Sequence, residues 1–125
     1  MNNEEIRLIF ETSVNQWVSS GSRVLLVVPD TTRTAPIASL LGMLYPVLHK
    51  AGAEVTILIA LGTHPPLSSD VLAKHLGLNE LAACGYPAPL VLNHEWNNPE
   101  TLLTIGELSV DEIRKLTSGL MAERV

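Results

Sequence analysis

The sequence predicts an α/β fold built on an open, mostly parallel sheet with flanking helices, and three observations carry that prediction. Two short stretches are aliphatic and rich in β-branched residues, Val24 to Val28 and Val55 with Ile57 to Ile59. Such runs suit strands covered on both faces, as parallel strands are. Between them Ile37, Leu40, Leu41, Leu44, Val47, Leu48 and Ala51 recur at helical spacing. Strand, helix and strand within ~40 residues make a βαβ unit, whose crossover is right-handed in nearly all cases. The length of 125 residues fits one α/β domain spanning 1–125, in a Rossmann-like three-layer arrangement.

The elements follow in order. Glu4 to Ser19 reads as a helix with Ile6, Ile9, Phe10, Ser13 and Trp17 on one face, which assigns Trp17 to the core. Ser19-Ser20-Gly21-Ser22 breaks it. Arg23 to Val28 is the first strand, stopped by Pro29. Pro36 to Ala51 is a helix with proline at a first-turn position and Gly52 at its close. Pro46 inside it predicts a kink, or a break into two shorter helices. Glu54 to Leu61 is the second strand. Ser68 to Leu76 is a short helix ended by Gly77. Pro89 to Asn93 is a third strand, and Leu102 to Ile105 a candidate fourth. Ser109 to Leu116 opens on Ser109-x-x-Glu112, a capping box, and stops near Gly119. The tail from Leu120 to Val125 carries no fold signal, and no repeat or low-complexity tract occurs.

Composition removes several function classes. Hydrophobic residues are 46% and charged residues 17%, the reverse of a disordered chain. Eight Lys and Arg against 13 Asp and Glu give a net charge of −5, so there is no basic footprint for nucleic acid. The single cysteine, Cys84, allows no internal disulfide. With no cation nearby in sequence, it reads as a buried or inert thiol. Met1 to Glu5 lacks the basic-then-apolar order of a signal peptide. No apolar run reaches the ~18 residues of a membrane span. The expected compartment is cytoplasmic, with no membrane partner.

The chemistry is positional. The first strand ends in Pro29-Asp30-Thr31-Thr32-Arg33, the second in Gly62-Thr63-His64-Pro65-Pro66, the third in Asn93-His94-Glu95-Trp96. In a parallel sheet these ends share one edge, outside which open α/β folds bind ligands. Asp30 to Arg33 precedes a helix N-terminus, where free N–H groups attract anions. Arg33 can clamp a carboxylate or phosphate through two parallel bonds. Asp30 can accept from a ribose hydroxyl or orient a histidine; equally, Asp30 and Thr31 can simply cap the helix and form a turn. His64 follows Gly62-Thr63 and precedes two prolines, which fix its place, and it can move a proton near neutral pH. A turn histidine bonded to backbone is the plainer alternative. His94 reads as a residue that holds a neighbouring loop. His49 and His75 lie near helix C-termini, where the dipole accounts for them. The four histidines show no metal-ligand spacing, and no dinucleotide, P-loop or nucleophile-elbow motif occurs.

Three of these segments, in order, resemble a known family. Val28-Pro29-Asp30-Thr31-Thr32-Arg33-Thr34-Ala35-Pro36 is similar to the D-x-T-R-x-x-P segment of the nickel-dependent lactate racemases. Leu61-Gly62-Thr63-His64-Pro65-Pro66-Leu67-Ser68 resembles their second motif, and Leu92-Asn93-His94-Glu95-Trp96 their Asn-His-Asp/Glu segment. Thr104 to Glu107 and Ser118 to Leu120 continue in register, so the likeness runs from about Gly21 to Val125. The resemblance implies the N-terminal domain of a two-domain enzyme that racemises or epimerises a small 2-hydroxy acid. It implies a nickel-pincer nucleotide as cofactor, bound through Asp30, Thr31, Thr32 and Arg33, with His64 as the first catalytic histidine. His94 matches a position read as structural. The second catalytic histidine, the lysine that carries the pincer and the nickel-ligating histidine would follow Val125. No metal ligand is assigned within this chain, and alone it is expected to be inactive. Pro65 stands where many members have Arg, so the 2-hydroxy acid need not be lactate. The partner implied is the protein's own C-terminal domain. An apolar patch is expected where that domain docks, and it could pair isolated chains into a homodimer. The alternatives are a non-catalytic nucleotide- or anion-binding module, or a purely structural domain.

Overall fold

The computed structural model describes residues 2–123. The chain divides into two compact units, Met1–Glu95 and Trp96–Val125.

The first unit holds three parallel strands, β1 (Arg23–Pro29), β2 (Glu54–Ala60) and β3 (Leu90–Asn93), in the order β1-β2-β3. Register pairs Pro29 with Ala60 and Ile59 with Asn93, so all three strands finish at the same edge. The helices are α1 (Asn3–Trp17), α2 (Ile37–Lys50), α3 (Ser69–Leu76) and α4 (Leu78–Ala83). The core lies between one sheet face and α2 to α4. Ile37, Leu41 and Tyr45 of α2, Leu76 of α3 and Leu81 of α4 close over Ile57 and Ile59. The Tyr45 hydroxyl, carried into this core, donates to the Pro87 carbonyl at 2.8 Å.

The α/β class and the open parallel sheet are as the sequence predicts. Cover on both faces is not: within Met1–Glu95 the helices cover one. Two right-handed crossovers that each step the same way across the sheet place both helical connections on the same side. Register lines up Leu25, Thr56 and Leu90 in one row of the other face, and Val27, Leu58 and Leu92 in the next. Leu25, Val27, Leu90 and Leu92 are exposed there.

Several elements differ locally from expectation. Helix α1 has an Asn2 capping box and packs on α2. Its inward stripe is Ile6, Phe10 and Val14, not the face through Ile9 and Trp17. Trp17 is 78% exposed, so it is no core residue. The stripe follows the four-residue step, so Ile6 and Phe10 of the expected face point inward while Val14 takes the place expected of Ser13 and Trp17. Helix α2 runs unbroken through Pro46. The bond lost to Gly42 is one of many, and the burial of Leu41, Tyr45 and Leu48 around it holds the helix together. Helix α4 was not foreseen, having only six residues and no side-chain cap. Gly77, at φ +67°, ends α3 and starts α4. A Cβ there would lie 3.0 Å from the Ala38 Cβ, so the glycine also allows α2 close. Cys84 is exposed rather than buried.

The second unit, described by itself, contains a 3-10 turn at Pro99–Thr101 capped by Asn98, and α5 (Val110–Leu116). The expected capping box of Ser109 and Glu112 opens α5. Leu102 to Ile105 form no strand; Ile105 is 97% exposed, and without a partner ladder an apolar triplet has nothing to pair with. Arg124 and Val125 of the tail lie outside the described residues. Among the described residues no helix is long and apolar enough to cross a membrane.

Ile57 is 0% exposed at the centre of the core. Ile57→Ala is expected to lower unfolding free energy by about 2–5 kcal/mol, read by denaturant titration, whereas Leu25→Ala on the exposed face should cost far less.

Candidate functional site

Because the strands are parallel and in register, the loops after β1 and β2 leave the sheet side by side. After β1, Asp30 turns its carboxylate back on its own loop. Oδ1 accepts from the Thr32 backbone N–H at 3.0 Å and from the Thr32 hydroxyl at 2.5 Å. The Arg33 N–H reaches the Asp30 carbonyl at 3.4 Å. After β2, the chain makes a tight turn in which the His64 N–H donates to the Leu61 carbonyl at 3.0 Å. Gly62 sits in this turn at φ +60°, a conformation that costs other residues about 1–2 kcal/mol. The turn swings His64 toward β1, and its Nδ1 meets the second Asp30 oxygen, Oδ2, at 2.5 Å.

The loop carrying His64 is clamped from β3. The Leu67 N–H donates to the Asn93 side-chain oxygen, and the Asn93 amide donates to the Leu67 carbonyl, both at 3.1 Å. The loop-holding role expected of His94 thus falls to Asn93. His94 contributes its backbone N–H, which donates to the Ile59 carbonyl at 3.1 Å. The other residue passed over in the sequence is His75, whose Nε2 lies 2.8 Å from the Pro29 carbonyl. An Asn at the last position of a short strand and a His one residue before a helix end gave no pattern to find them by.

Asp30 is buried, 5% exposed, while the His64 side chain is 55% exposed. The Thr32 hydroxyl bond, then the His64 bond, hold the Asp30 carboxyl at a pKa of about 2 against burial, which opposes them; the Thr32 backbone N–H adds to the lowering. Asp30 is therefore an anion at neutral pH and accepts from His64. Nδ1 carries the proton, and in the neutral ring Nε2 is the basic nitrogen. A buried acceptor behind an exposed imidazole fixes tautomer and orientation together.

Of the residues predicted to bind, the structure brings Asp30, Thr32 and His64 together. Asp30 does not cap α2: the N-cap is Pro36, and no side chain caps it. Thr32 spends both its hydroxyl hydrogen and its backbone N–H on Asp30. Arg33 is exposed and has no salt-bridge partner among the described residues. Thr31 lines a hollow of about 650 Å³ with Pro36, Ile37, Lys74 and His75, at the open N-terminus of α2. A larger hollow of about 900 Å³ lies between α1 and α2 and includes none of the strand-end residues. Among the described residues, no three of His, Cys, Asp or Glu are placed to share a metal ion.

With this geometry in hand, comparison with known proteins decides the family. The family model for the lactate racemase N-terminal domain matches residues 5–118. The chain belongs to that family. A crystal structure of a protein from Thermotoga maritima matches the whole chain with a TM-score of 0.81 and 27% identity. This chain covers 29% of that one, so it spans under a third of the solved protein's length. No curated protein matches. The racemase family context thus rests on the match of the N-terminal domain, and within it the Asp30–His64 contact is the part with evident chemical capacity.

The Asp30 carboxyl titrates at about 2 in the folded chain against an ordinary 3.8. A depressed carboxyl contributes stability that is complete above the ordinary value and is lost as pH falls through the folded one. Urea titrations between about pH 5 and pH 2 should show wild type losing more stability over that window than Asp30→Asn; equal slopes would mean that Asp30 is not held as an anion.

Proposed function

We propose that this chain is the N-terminal, active-site-contributing part of a racemase or epimerase of small 2-hydroxy acids. The observation that carries the reading is the 2.5 Å contact of Asp30 Oδ2 with His64 Nδ1 at the carboxyl edge of the sheet. A 2-hydroxy acid asks for three things from a protein: a cation for its carboxylate, a base for its hydroxyl, and an acceptor for the hydrogen on its carbon. This chain offers the base, and in Arg33 one cation that either the acid or a bound phosphate can take.

His64 is the base. Its Nδ1–H is fixed on Asp30, so Nε2 takes the hydroxyl proton as the carbinol becomes a carbonyl, and returns it in the reverse step. Asp30 remains ionised and stabilises the imidazolium formed in between. Arg33, exposed and without an ion-pair partner among the described residues, suits a carboxylate or phosphate.

The cofactor implied by the family, a nickel-pincer nucleotide, fits these residues in its nucleotide part. Arg33, the Thr31 hydroxyl and the uncapped N-terminus of α2 form an anion-seeking set that would hold its phosphate. When bound, such a nucleotide supplies the acceptor for the carbon's hydride. The described residues contain no cluster for the nickel itself, so in this reading the metal and its remaining contacts come from polypeptide outside this chain. The uncovered sheet face of Leu25, Val27, Leu90 and Leu92 gives that polypeptide an apolar surface to meet.

The test uses the longer protein with its cofactor. His64→Ala should lower racemisation by at least ~10²-fold while leaving bound nickel largely unchanged. Retained turnover would refute proton transfer at His64. If instead the chain binds a pyridine mononucleotide in titration and His64→Ala leaves turnover intact, the non-catalytic binding module is the better reading.

Arg33→Ala should weaken binding of the nucleotide or acid by about 1.5–3 kcal/mol, the worth of a bond to a charged group, seen as a rise in Kd or KM. Unchanged binding would remove Arg33 from the site.

A further inference from the structure

The Asp30–His64 contact depends on where Asp30 begins. Pro29 is the last paired residue of β1, so Asp30 is the first residue that the strand ladder does not place. The rigid Pro29–Asp30 peptide sets where the Asp30 Cα stands, and so the point from which its side chain sets out toward Thr32 and His64. The Pro29 carbonyl is the acceptor end of that peptide, and His75 Nε2 stands 2.8 Å from it.

His75 reaches it from a firm base. It precedes Leu76, which is 0% exposed in the core, on a helix that Gly77 closes with a left-handed cap. Helix α3 is also the element that directly follows the loop bearing His64. Asn93 clamps Leu67 of that loop, one residue before the N-cap Ser68. Both partners of the pair are thereby referenced to one helix: His64 through its own loop, Asp30 through the ring of His75. The 46 positions between Pro29 and His75 are closed by this bond at the same edge where the 34 between Asp30 and His64 are closed.

We propose that His75 is a positioning residue, an Nε2–H donor that locks the Pro29–Asp30 peptide so that the Asp30 carboxylate meets His64. A carbonyl only accepts, so the proton must reside on Nε2. His75 touches no reacting group in this arrangement; it acts through Asp30. The proposal rests on the proton-transfer reading only for its consequence in turnover, and its test needs neither cofactor nor substrate.

The experiment is nuclear magnetic resonance on the 125-residue chain. In wild type at mildly alkaline pH, the long-range proton–nitrogen spectrum should show His75 as the Nε2–H tautomer. A bare Nε2 with the proton on Nδ1 would overturn the proposal without any substitution. The variants are His75→Leu, which removes the donor, and His75→Gln, whose amide can place N–H near the same point. In His75→Leu the Asp30 carboxyl midpoint should rise from about 2 toward 3.8, and the His64 Nδ1–H should exchange with water at least ~10-fold faster, as expected of a bond no longer held closed. In His75→Gln both should stay near wild type. A folded His75→Leu chain with an unmoved Asp30 midpoint would overturn the proposal. If His75→Leu fails to fold, His75→Ala takes its place: a midpoint risen from about 2 toward 3.8 in a folded chain supports the lock, and an unmoved one sinks it. None of these outcomes depends on whether His64 transfers a proton in turnover, so the two readings fail separately.

Discussion

The parallel pairing of β1 with β2, unbroken over seven residues from Arg23–Glu54 to Pro29–Ala60, is the constraint from which the site follows. Two strands running the same way must release their chains at the same edge. Asp30 and His64 are 34 positions apart, yet each lies just past the end of its strand. An antiparallel pairing of the same two segments would have put them at opposite ends of the sheet. The buried face of Ile57 and Ile59 fixes the register, since a slip by one residue would turn these side chains to water. The hydrophobic core thus sets the separation between an acid and an imidazole that it does not touch.

Within the site, the labour is divided by burial. Asp30 is enclosed and saturated by short bonds, which keeps it charged and still. His64 is more than half exposed, which leaves its other nitrogen open to a reactant. Thr32 serves Asp30 rather than a ligand, and so the donor power of the segment toward an outside anion passes to Arg33, Thr31 and the backbone at the start of α2. The four residues from Asp30 to Arg33 that read as one binding stretch in sequence therefore split into an internal pair and an outward-facing pair.

Much of this was legible before any coordinates. The aliphatic runs located β1 and β2, the three-four spacing located α2, and the strand-end rule brought Asp30 and His64 to one edge. What was missed has physical reasons. Helix α1 carries apolar residues on more than one face, and the sequence reading follows the face through Ile9 and Trp17 instead of the Phe10–Val14 stripe. Helix α4 is too short to show a period. A proline in mid-helix reads as a break unless the strength of packing around it is known, and packing is a tertiary quantity. Asn93 and His75 act on backbone groups far along the chain, and no local pattern announces a bond between a side chain and a carbonyl 46 residues away. The single-sided cover of the sheet is also tertiary: apolar runs report that a strand can be buried on both faces, not that it is.

The sheet face left bare by the helices of Met1–Glu95 bears on how that unit behaves as a solute. Leu25, Val27, Leu90 and Leu92 present aliphatic rows to water on a smooth parallel surface. With dispersal of these molecules left to mutual repulsion, the net charge of −5 is what keeps them apart. Near the isoelectric point of about 5.2 that repulsion vanishes, and added salt shortens its reach to ~10 Å or less. Mildly acidic or salty buffer therefore turns the bare rows into sticky ones, and neutral, dilute buffer is the medium that favours dispersal of this chain.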